Sequence, residues 1–111
     1  MKKFNLQQIG TVRLDGEETS IALEAHYAPA LRGLDGFSHI NIVWWFSECD
    51  DCRESLTENS PDKGAPELMG TFATRSPMRP NPLGITCAAI TYIDYDNATI
   101  GIGYIDAHDG T

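Results

Sequence analysis

Apolar and polar residues alternate along several short stretches of this chain, and a period of two predicts β-strands. The pattern predicts six strands, at residues 5–14, 19–25, 37–47, 68–74, 83–93 and 98–105. The sequence Asp-Tyr-Asp-Asn at residues 94–97 is typical of a turn, so the last two strands are predicted to form a hairpin. Six short strands with little helix favour a mainly β fold, a small antiparallel β-barrel-like domain with one or two short helices.

Three stretches add detail to this pattern. Ala30, Leu31 and Leu34 follow helical spacing and predict one or two helical turns. The apolar run at residues 42–46 is rich in β-branched and aromatic side chains, which predicts a central strand covered on both faces. The acidic residues 48–58 are predicted to form a loop or short helix, followed by a turn-rich connection at residues 59–65.

Composition narrows the class of protein. A chain of 111 residues is predicted to be one domain, residues 1–111. Its net charge of -8 argues against a nucleic-acid partner unless basic groups are concentrated on one face. Three cysteines, an odd number, favour a reducing compartment over a disulfide framework. The chain contains neither a membrane-length apolar run nor a signal-like start, which predicts a cytoplasmic protein without a membrane partner.

The most informative segment is residues 70–84, GTFATRSPMRPNPLG, which we call the arginine loop. Its three prolines fix φ and lack an N–H, which predicts a stiff loop. Arg75 and Arg79, together with nearby hydroxyl and amide groups, supply donors that suit an anionic ligand. No acidic residue occurs between positions 68 and 93. The alternative is a rigid surface connection whose arginines pair with the protein's acids.

Two motifs of cofactor or metal sites carry little weight. Gly101 and Gly103 resemble part of a nucleotide-binding fingerprint, but a Rossmann site needs a helix after the glycines and only eight residues follow. Cys49 and Cys52 have the spacing of a zinc or redox pair. A tetrahedral site needs two further ligands, and Cys87 and the histidines are scattered, so no metal is expected.

Two further candidates leave two interpretations open. His39 lies beside the apolar strand, where a histidine is more often a hydrogen-bonded structural residue than one that orients a ligand. Residues 106–111, Asp-Ala-His-Asp-Gly-Thr, follow the last strand. Their carboxylates and backbone groups either cap a ligand or form a solvated turn at the chain end.

The arginine loop resembles the signature of the TsaA-like (TrmO-like) family of S-adenosylmethionine-dependent tRNA methyltransferases. Three other stretches agree in the family's order: residues 9–13 (IGTVR), 34–40 (LDGFSHI) with the aromatic run after it, and 106–111. The resemblance implies a non-Rossmann, β-barrel-like homodimer. It also implies methylation of N6 of threonylcarbamoyl-adenosine beside the tRNA anticodon. A methyltransferase with another acceptor and a non-catalytic cofactor-binding module are the alternatives.

The resemblance further implies roles for individual residues. Contacts to S-adenosyl-L-methionine are expected from Arg75, Ser76, Cys87, Asp106, Asp109, Gly110, Thr111, Ser47 and Glu48. Contacts to the substrate are expected from Arg79, Asn81 and His39, and the catalytic candidates are Asp106, Asp109 and Asn81.

The chain differs from the family pattern at three places. A Pro-Arg-Gln type segment usually follows the first strand, whereas here Arg13 runs almost directly into the second strand. Ser47 stands where the family often has histidine. The family usually continues past Asp-Gly-Thr, so a domain truncated at its C-terminus is expected. The first two differences bear on cofactor affinity and on the identity of the acceptor.

Overall fold

The computed structural model describes residues 1–58 and 68–111, and the predicted connection at 59–65 lies outside them. The strands of the described part are β1 (Gly10–Asp15), β2 (Glu18–Leu23), β3 (His39–Trp45), β4 (Thr57–Glu58), β5 (Met69–Gly70), β6 (Leu83–Asp94) and β7 (Thr99–Ile102). The helices of the described part are all 3₁₀: Ala25–Leu31, Leu34–Gly36, Ser47–Cys52 and Thr71–Ala73. None of these helices is long and apolar enough to cross a membrane.

Five strands form one sheet in the order β1-β2-β7-β6-β3, and β4 pairs with β5 in a second sheet. The pairs β1–β2, β2–β7, β6–β7 and β4–β5 are antiparallel. The mainly β, antiparallel class is therefore confirmed, although the described residues contain four short helices instead of one or two.

The predicted hairpin at the end of the chain is confirmed as β6–β7, with Asp94 opposite Thr99. The Asp94 carboxylate accepts hydrogen bonds from the backbone N–H (3.1 Å) and side-chain amide (2.8 Å) of Asn97, and these bonds lower the pKa of Asp94. Ala98 closes the turn with a φ of 48° and is buried. Strand β7 ends at Ile102, three residues earlier than the alternating pattern predicts.

The prediction that the aromatic strand is central is wrong. Strand β3 is the last strand in the order of the five-stranded sheet, and its burial alternates along its length. Val43 is 60% exposed, whereas Trp44 packs against Phe46 with ring centroids 4.2 Å apart. The apolar run therefore reflects an aromatic pair on one side of an edge strand, not burial on both faces.

Of two other predicted elements, one agrees with the structure and one is shortened. The helical turns predicted from Ala30, Leu31 and Leu34 are present as two 3₁₀ helices; Pro29 lies inside the first, and Gly33, with a φ of 88°, precedes the second. The predicted strand at residues 68–74 is shortened to Met69–Gly70. The N–H of Thr74 bonds to the carbonyl of Thr71, which turns the chain into a 3₁₀ helix.

The chain divides into two compact units, the first Met1–Ile42 with Thr86–Thr111 and the second Val43–Ile85. The first unit has an ordinary apolar core, formed by Val12, Ile21, Leu31, Ala88, Ala98, Ile100, Ile102 and Ile105. In the described part of the second unit the buried residues are Thr71, Ser76 and Pro82. All three belong to the arginine loop, so the loop supplies the interior of its unit.

Tyr92 links three neighbouring strands of the first unit. Its ring on β6 lies over Gly101 on β7, where a Cβ would overlap the ring carbons. Its hydroxyl donates to the Glu18 carboxylate on β2 at 2.7 Å. This hydrogen bond to a carboxylate raises the pKa of Tyr92 because it favours the protonated phenol.

Candidate functional site

The arginine loop holds its shape largely through bonds to its own backbone. The buried carbonyl of Thr71 accepts hydrogen bonds from the N–H (3.1 Å) and hydroxyl (2.9 Å) of Thr74 and from Nη2 of Arg79 (2.6 Å). The same nitrogen of Arg79 donates to the carbonyl of Thr74 at 3.0 Å. Arg79 was predicted to contact substrate, but in the structure its Nη2 donates hydrogen bonds to the backbone of the loop. Its Nε is buried and makes no hydrogen bond to the described residues.

Side-chain hydroxyl oxygens accept hydrogen bonds from two backbone N–H groups of the loop. The N–H of Ser76 bonds to the Thr74 hydroxyl oxygen at 3.2 Å, and the N–H of Met78 bonds to the Ser76 hydroxyl oxygen at 3.2 Å. Short side chains that bond to the backbone two residues on stabilise turns in this way. Ser76, predicted to contact the cofactor, is 8% exposed.

Arg75 differs from Arg79 in its surroundings. It is exposed, and its Nη2 donates to the carbonyl of Ile85 at 3.3 Å. That bond fixes one edge of the guanidinium and leaves further donors facing solvent. Of the two arginines in the loop, Arg75 therefore has the donors available to an external anion.

Glu58 lies beside this network, and the sequence did not single it out. The neighbouring hydroxyls of Thr74 and Ser76, aided by the attraction of the Arg79 charge, lower the pKa of Glu58. Glu58 belongs to an acidic stretch predicted as loop or helix, and only its pairing on β4 brings it to the arginine loop.

Arg53 is the second residue that sequence reasoning missed. Its guanidinium lies 5.0 Å from the centroid of the Trp45 ring and 3.1 Å from the Asp50 carboxylate. It also donates to the carbonyl of Pro80 (3.3 Å) and the amide oxygen of Asn81 (3.5 Å). Arg53 therefore ties the predicted substrate residue Asn81 to the end of the aromatic strand.

The helix between the aromatic strand and Arg53 carries the remaining candidates of the second unit. Ser47 and Glu48 are exposed at its start. Cys49 and Cys52 are free thiols, and a hydrogen bond to Asp51 raises the pKa of Cys52, which disfavours its thiolate. Within residues 1–58 and 68–111, no three His, Cys, Asp or Glu side chains are grouped to hold a metal ion.

The C-terminal turn of the first unit, residues 106–111, is bonded to β1. Asp109 Oδ1 accepts the N–H of Leu14 at 2.8 Å. The N–H of Gly110 donates to the carbonyl of Val12 at 2.8 Å, and the N–H of Val12 donates to the carbonyl of Thr111 at 2.7 Å. Gly110 has a φ of 87°, a left-handed conformation that favours glycine. The turn thus pairs with the strand, while Asp106 remains exposed.

The structure assigns the predicted residues to the two units. In the second unit, Arg75, Ser76, Arg79 and Asn81 lie on the arginine loop, with Ser47 and Glu48 on the preceding helix. In the first unit, Asp106, Asp109, Gly110 and Thr111 lie on one turn, with Cys87 exposed on β6 and His39 exposed on β3. The ring of His39 is hydrogen-bonded to the Ser38 hydroxyl at 2.8 Å through Nδ1.

The fold matches proteins of known structure. A crystal structure of TrmO from Pseudomonas aeruginosa matches with a TM-score of 0.71 at 19% identity, covering 98% of this chain and 52% of that one. A second crystal structure of TrmO gives a TM-score of 0.70 at 21% identity, covering 98% of this chain and 53% of that one. The structure thus has the TrmO fold, which is mainly β and not a Rossmann fold.

The sequence matches at the level of the family. The family model described as the tRNA-methyltransferase O N-terminal domain matches residues 7–111. The tRNA (adenine(37)-N6)-methyltransferase of Escherichia coli (strain K12) is 33% identical over 107 residues, 95% of this chain and 46% of the relative. An S-adenosyl-L-methionine-binding protein of Archaeoglobus fulgidus is 30% identical over 99 residues, 89% of this chain and 67% of the relative.

The chain therefore belongs to the tRNA-methyltransferase O N-terminal domain family, which confirms the resemblance stated from the arginine loop. It spans about half the length of the E. coli relative and of the two crystal structures it matches.

Proposed function

We propose that this chain is the methyl-transferring domain of an S-adenosylmethionine-dependent tRNA methyltransferase. The observation that carries the proposal is the 33% identity to the E. coli tRNA (adenine(37)-N6)-methyltransferase over 95% of the chain. The acceptor is N6 of threonylcarbamoyl-adenosine beside the anticodon, and the protein works as a homodimer in the cytoplasm. The interior position of the arginine loop supports the proposal, since a ligand loop built into the core is held rigid before binding.

Methyl transfer from S-adenosylmethionine requires no covalent bond between the protein and the methyl group. When bound, the cofactor would supply a sulfonium methyl group for transfer to N6, with the electrons of the carbon–sulfur bond left on sulfur and the N6 proton released. The residues of this chain bind, orient and exclude water. Arg75 would pair with the carboxylate of the cofactor through its solvent-facing donors.

Charge is the main objection to a tRNA substrate, because the chain carries a net charge of -8. Two exposed arginines of the second unit, Arg53 and Arg75, lie on or beside the arginine loop. Arg53 stacks on Trp45, and paired guanidinium and aromatic groups suit nucleic-acid bases and phosphates alike. We therefore assign tRNA contact to Arg53 and Arg75.

The first experiment measures cofactor binding by calorimetry. Arg75→Ala is expected to weaken binding about 10-fold to 100-fold, the loss of one charge-assisted contact to a carboxylate. Arg32→Ala, which removes an exposed arginine of the first unit, serves as the control for net charge and is expected to bind like the wild type. Unchanged affinity in Arg75→Ala would remove the cofactor role from the loop.

The second experiment incubates the protein with cofactor labelled on the methyl group and bulk tRNA, with and without the threonylcarbamoyl modification. Label in modified tRNA alone supports the full proposal. Label in neither tRNA, with cofactor binding intact, supports a cofactor-binding module or another acceptor. The binding-module alternative is favoured by the A. fulgidus relative, of which this chain covers 67% and which is named for S-adenosyl-L-methionine binding alone.

A further inference from the structure

Asn81 lies on a stretch of backbone that is fixed at three consecutive carbonyls. The carbonyl of Pro80 accepts a hydrogen bond from Nη1 of Arg53 at 3.3 Å. The carbonyl of Asn81 accepts the backbone N–H two residues later at 2.7 Å, and that of Pro82 accepts the N–H of Phe46 at 2.8 Å. Pro80 and Pro82 also fix φ on either side of Asn81. The exposed side chain of Asn81 therefore projects from a rigid backbone.

The guanidinium of Arg53 determines which way the Asn81 carboxamide faces. Nη1 of Arg53 donates to Oδ1 of Asn81 at 3.5 Å. A guanidinium carries donors and no acceptor, so the reversed carboxamide would set two donors against each other. The carboxamide oxygen therefore faces Arg53, and the NH₂ group points away from it.

Arg53 is itself held from two directions. Its Nε and Nη2 donate to one carboxylate oxygen of Asp50 at 3.3 and 3.1 Å. Its Cζ lies 5.0 Å from the centroid of the Trp45 ring. A planar guanidinium engaged in this way is pre-organised for further hydrogen bonds, unlike the flexible ammonium group of lysine. The contacts thus pass from Asp50 through Arg53 to Asn81, and all of them lie within the second unit.

We infer that Arg53 is a positioning residue that presents Asn81 to the substrate as a hydrogen-bond donor. The group recognised at Asn81 is then a hydrogen-bond acceptor, an oxygen or ring nitrogen of the anticodon region. Because its carboxamide oxygen is engaged by Arg53, Asn81 does not accept the N6 proton, which removes it from the catalytic candidates. The inference rests on the proposed tRNA substrate and specifies the chemistry of one contact to it.

The first test replaces the donor of Asn81 with an acceptor of the same shape. Asn81→Asp keeps an oxygen for Arg53 but loses the NH₂ group, so it should bind an anticodon stem-loop about 10-fold more weakly than the wild type. Thr57→Asp, which adds the same charge at an exposed position of the same unit, is the control and should cost less than about 2-fold at physiological ionic strength.

Fluorescence anisotropy measures both variants on stem-loops with and without the threonylcarbamoyl modification. A loss confined to the modified stem-loop supports the inference and assigns the acceptor to the threonylcarbamoyl group. An equal loss on both stem-loops supports it and assigns the acceptor to another part of the RNA. Wild-type affinity in Asn81→Asp would overturn the inference, as would an equal loss in Thr57→Asp.

A double-mutant cycle separates positioning from the direct contact with tRNA that Arg53 is also assigned. A direct contact alone would be lost equally whether or not Asn81 is present. Arg53→Ala is therefore expected to weaken stem-loop binding about 5-fold more in the wild-type background than in the Asn81→Ala background. Equal losses in the two backgrounds contradict the inference. Should Arg53→Ala fail to fold by circular dichroism, Arg53→Lys, which keeps the charge but not the planar group, takes its place in the cycle.

A second readout uses the protein without any ligand. The heteronuclear NOE of the Asn81 side-chain NH₂ group should fall in Arg53→Ala, because the carboxamide becomes free to rotate. Asn97, whose NH₂ group donates to Asp94 at 2.8 Å, is the internal control and should keep its value. An unchanged NOE at Asn81 overturns the inference. If the wild type binds neither stem-loop, the proposed function fails, while the NOE still decides whether Arg53 orients Asn81.

Discussion

The arginine loop and the C-terminal turn carry the two clearest motifs of the chain, and they are stabilised in opposite ways. Within the loop, Arg79 bonds to carbonyls eight and five residues earlier, and hydroxyls pair with amides two residues away. In the turn, Asp109 bonds to the N–H of Leu14, 95 residues earlier. The loop is thus shaped mostly by its own sequence, whereas the turn takes its shape from a strand at the other end of the chain.

The difference explains why one motif was informative alone and the other was not. Prolines, hydroxyls and arginines at fixed spacing specify a loop whose bonds are mostly local. An Asp-Gly-Thr turn specifies only a bend until a strand edge is available to it. Matched substitutions in the two regions should therefore have different effects.

The largest effect is expected from the internal arginine of the loop. Arg79→Ala leaves the carbonyls of Thr71 and Thr74 without their charged donor and should lower the free energy of unfolding by about 3 kcal/mol. The matched change in the turn, Asp109→Ala, removes one exposed hydrogen bond and should cost about 1 kcal/mol. Urea titration followed by circular dichroism measures both.

Arg75→Ala is the control for that comparison. This arginine is exposed and makes one bond to the carbonyl of Ile85, so its loss should change stability by less than about 0.5 kcal/mol. Equal losses for Arg75→Ala and Arg79→Ala would contradict the view that Arg79, and not Arg75, stabilises the loop.

The next largest effects are expected at Gly84 and Gly110, two glycines that the fold requires for different reasons. A Cβ at Gly84 would lie 2.7 Å from Trp44 Cε2 and 3.1 Å from Phe46 Cε2, so Gly84→Ala should cost about 2 kcal/mol by overpacking. Gly110 has open space around it but a φ of 87°, so Gly110→Ala should cost about 1 kcal/mol by backbone strain. Thermal unfolding of the two variants gives the comparison.

Asparagine distinguishes the two causes. It tolerates the left-handed conformation, so Gly110→Asn should be milder than Gly110→Ala. At Gly84 the larger side chain should be worse than alanine, because the obstacle there is the Trp44 ring. The same rank order at both positions would show that one of the two explanations is mistaken.

The smallest effect is a pH dependence confined to the loop. The pKa of Glu58 is lowered in the folded protein, so its contribution to stability is present above the ordinary value of 4.5 and is lost as pH falls through the folded pKa. The difference in urea midpoint between wild type and Glu58→Gln should therefore shrink as pH falls below 4.5. Asp94, whose pKa is also lowered, is present in both proteins and cancels. A difference that is independent of pH would exclude this role.

The parts of the fold that sequence reasoning predicted correctly are those with local signals. The β6–β7 hairpin follows from its turn residues, and the loop between Ala73 and Leu83 follows from its prolines. The position of β3 at the edge of the sheet could not be predicted, because an apolar run resembles a buried strand whether its partners are strands or an aromatic pair.

The candidate site shows the same limit. Arg75 was predicted from the motif, but Glu58 and Arg53 join the loop only through the pairing of β4 and the packing of the helix after β3. In the sequence both lie in an acidic stretch that gives no sign of a partner. The different surroundings of Arg75 and Arg79 could not be predicted either, since identical side chains four residues apart differ only in which groups the fold brings to them.

The tyrosine that crosses the sheet has a consequence for how this domain can vary. Because the ring of Tyr92 occupies the space above Gly101, and the Thr91 hydroxyl oxygen would lie 2.6 Å from a Cβ there, any side chain at position 101 requires a smaller residue at position 92 and a shift of Thr91. Removing the ring in turn leaves Glu18 without its phenolic donor. The residues that positions 18, 92 and 101 can accept therefore depend on one another. A single substitution at one of them should destabilise the fold more than a combination of substitutions that fit together.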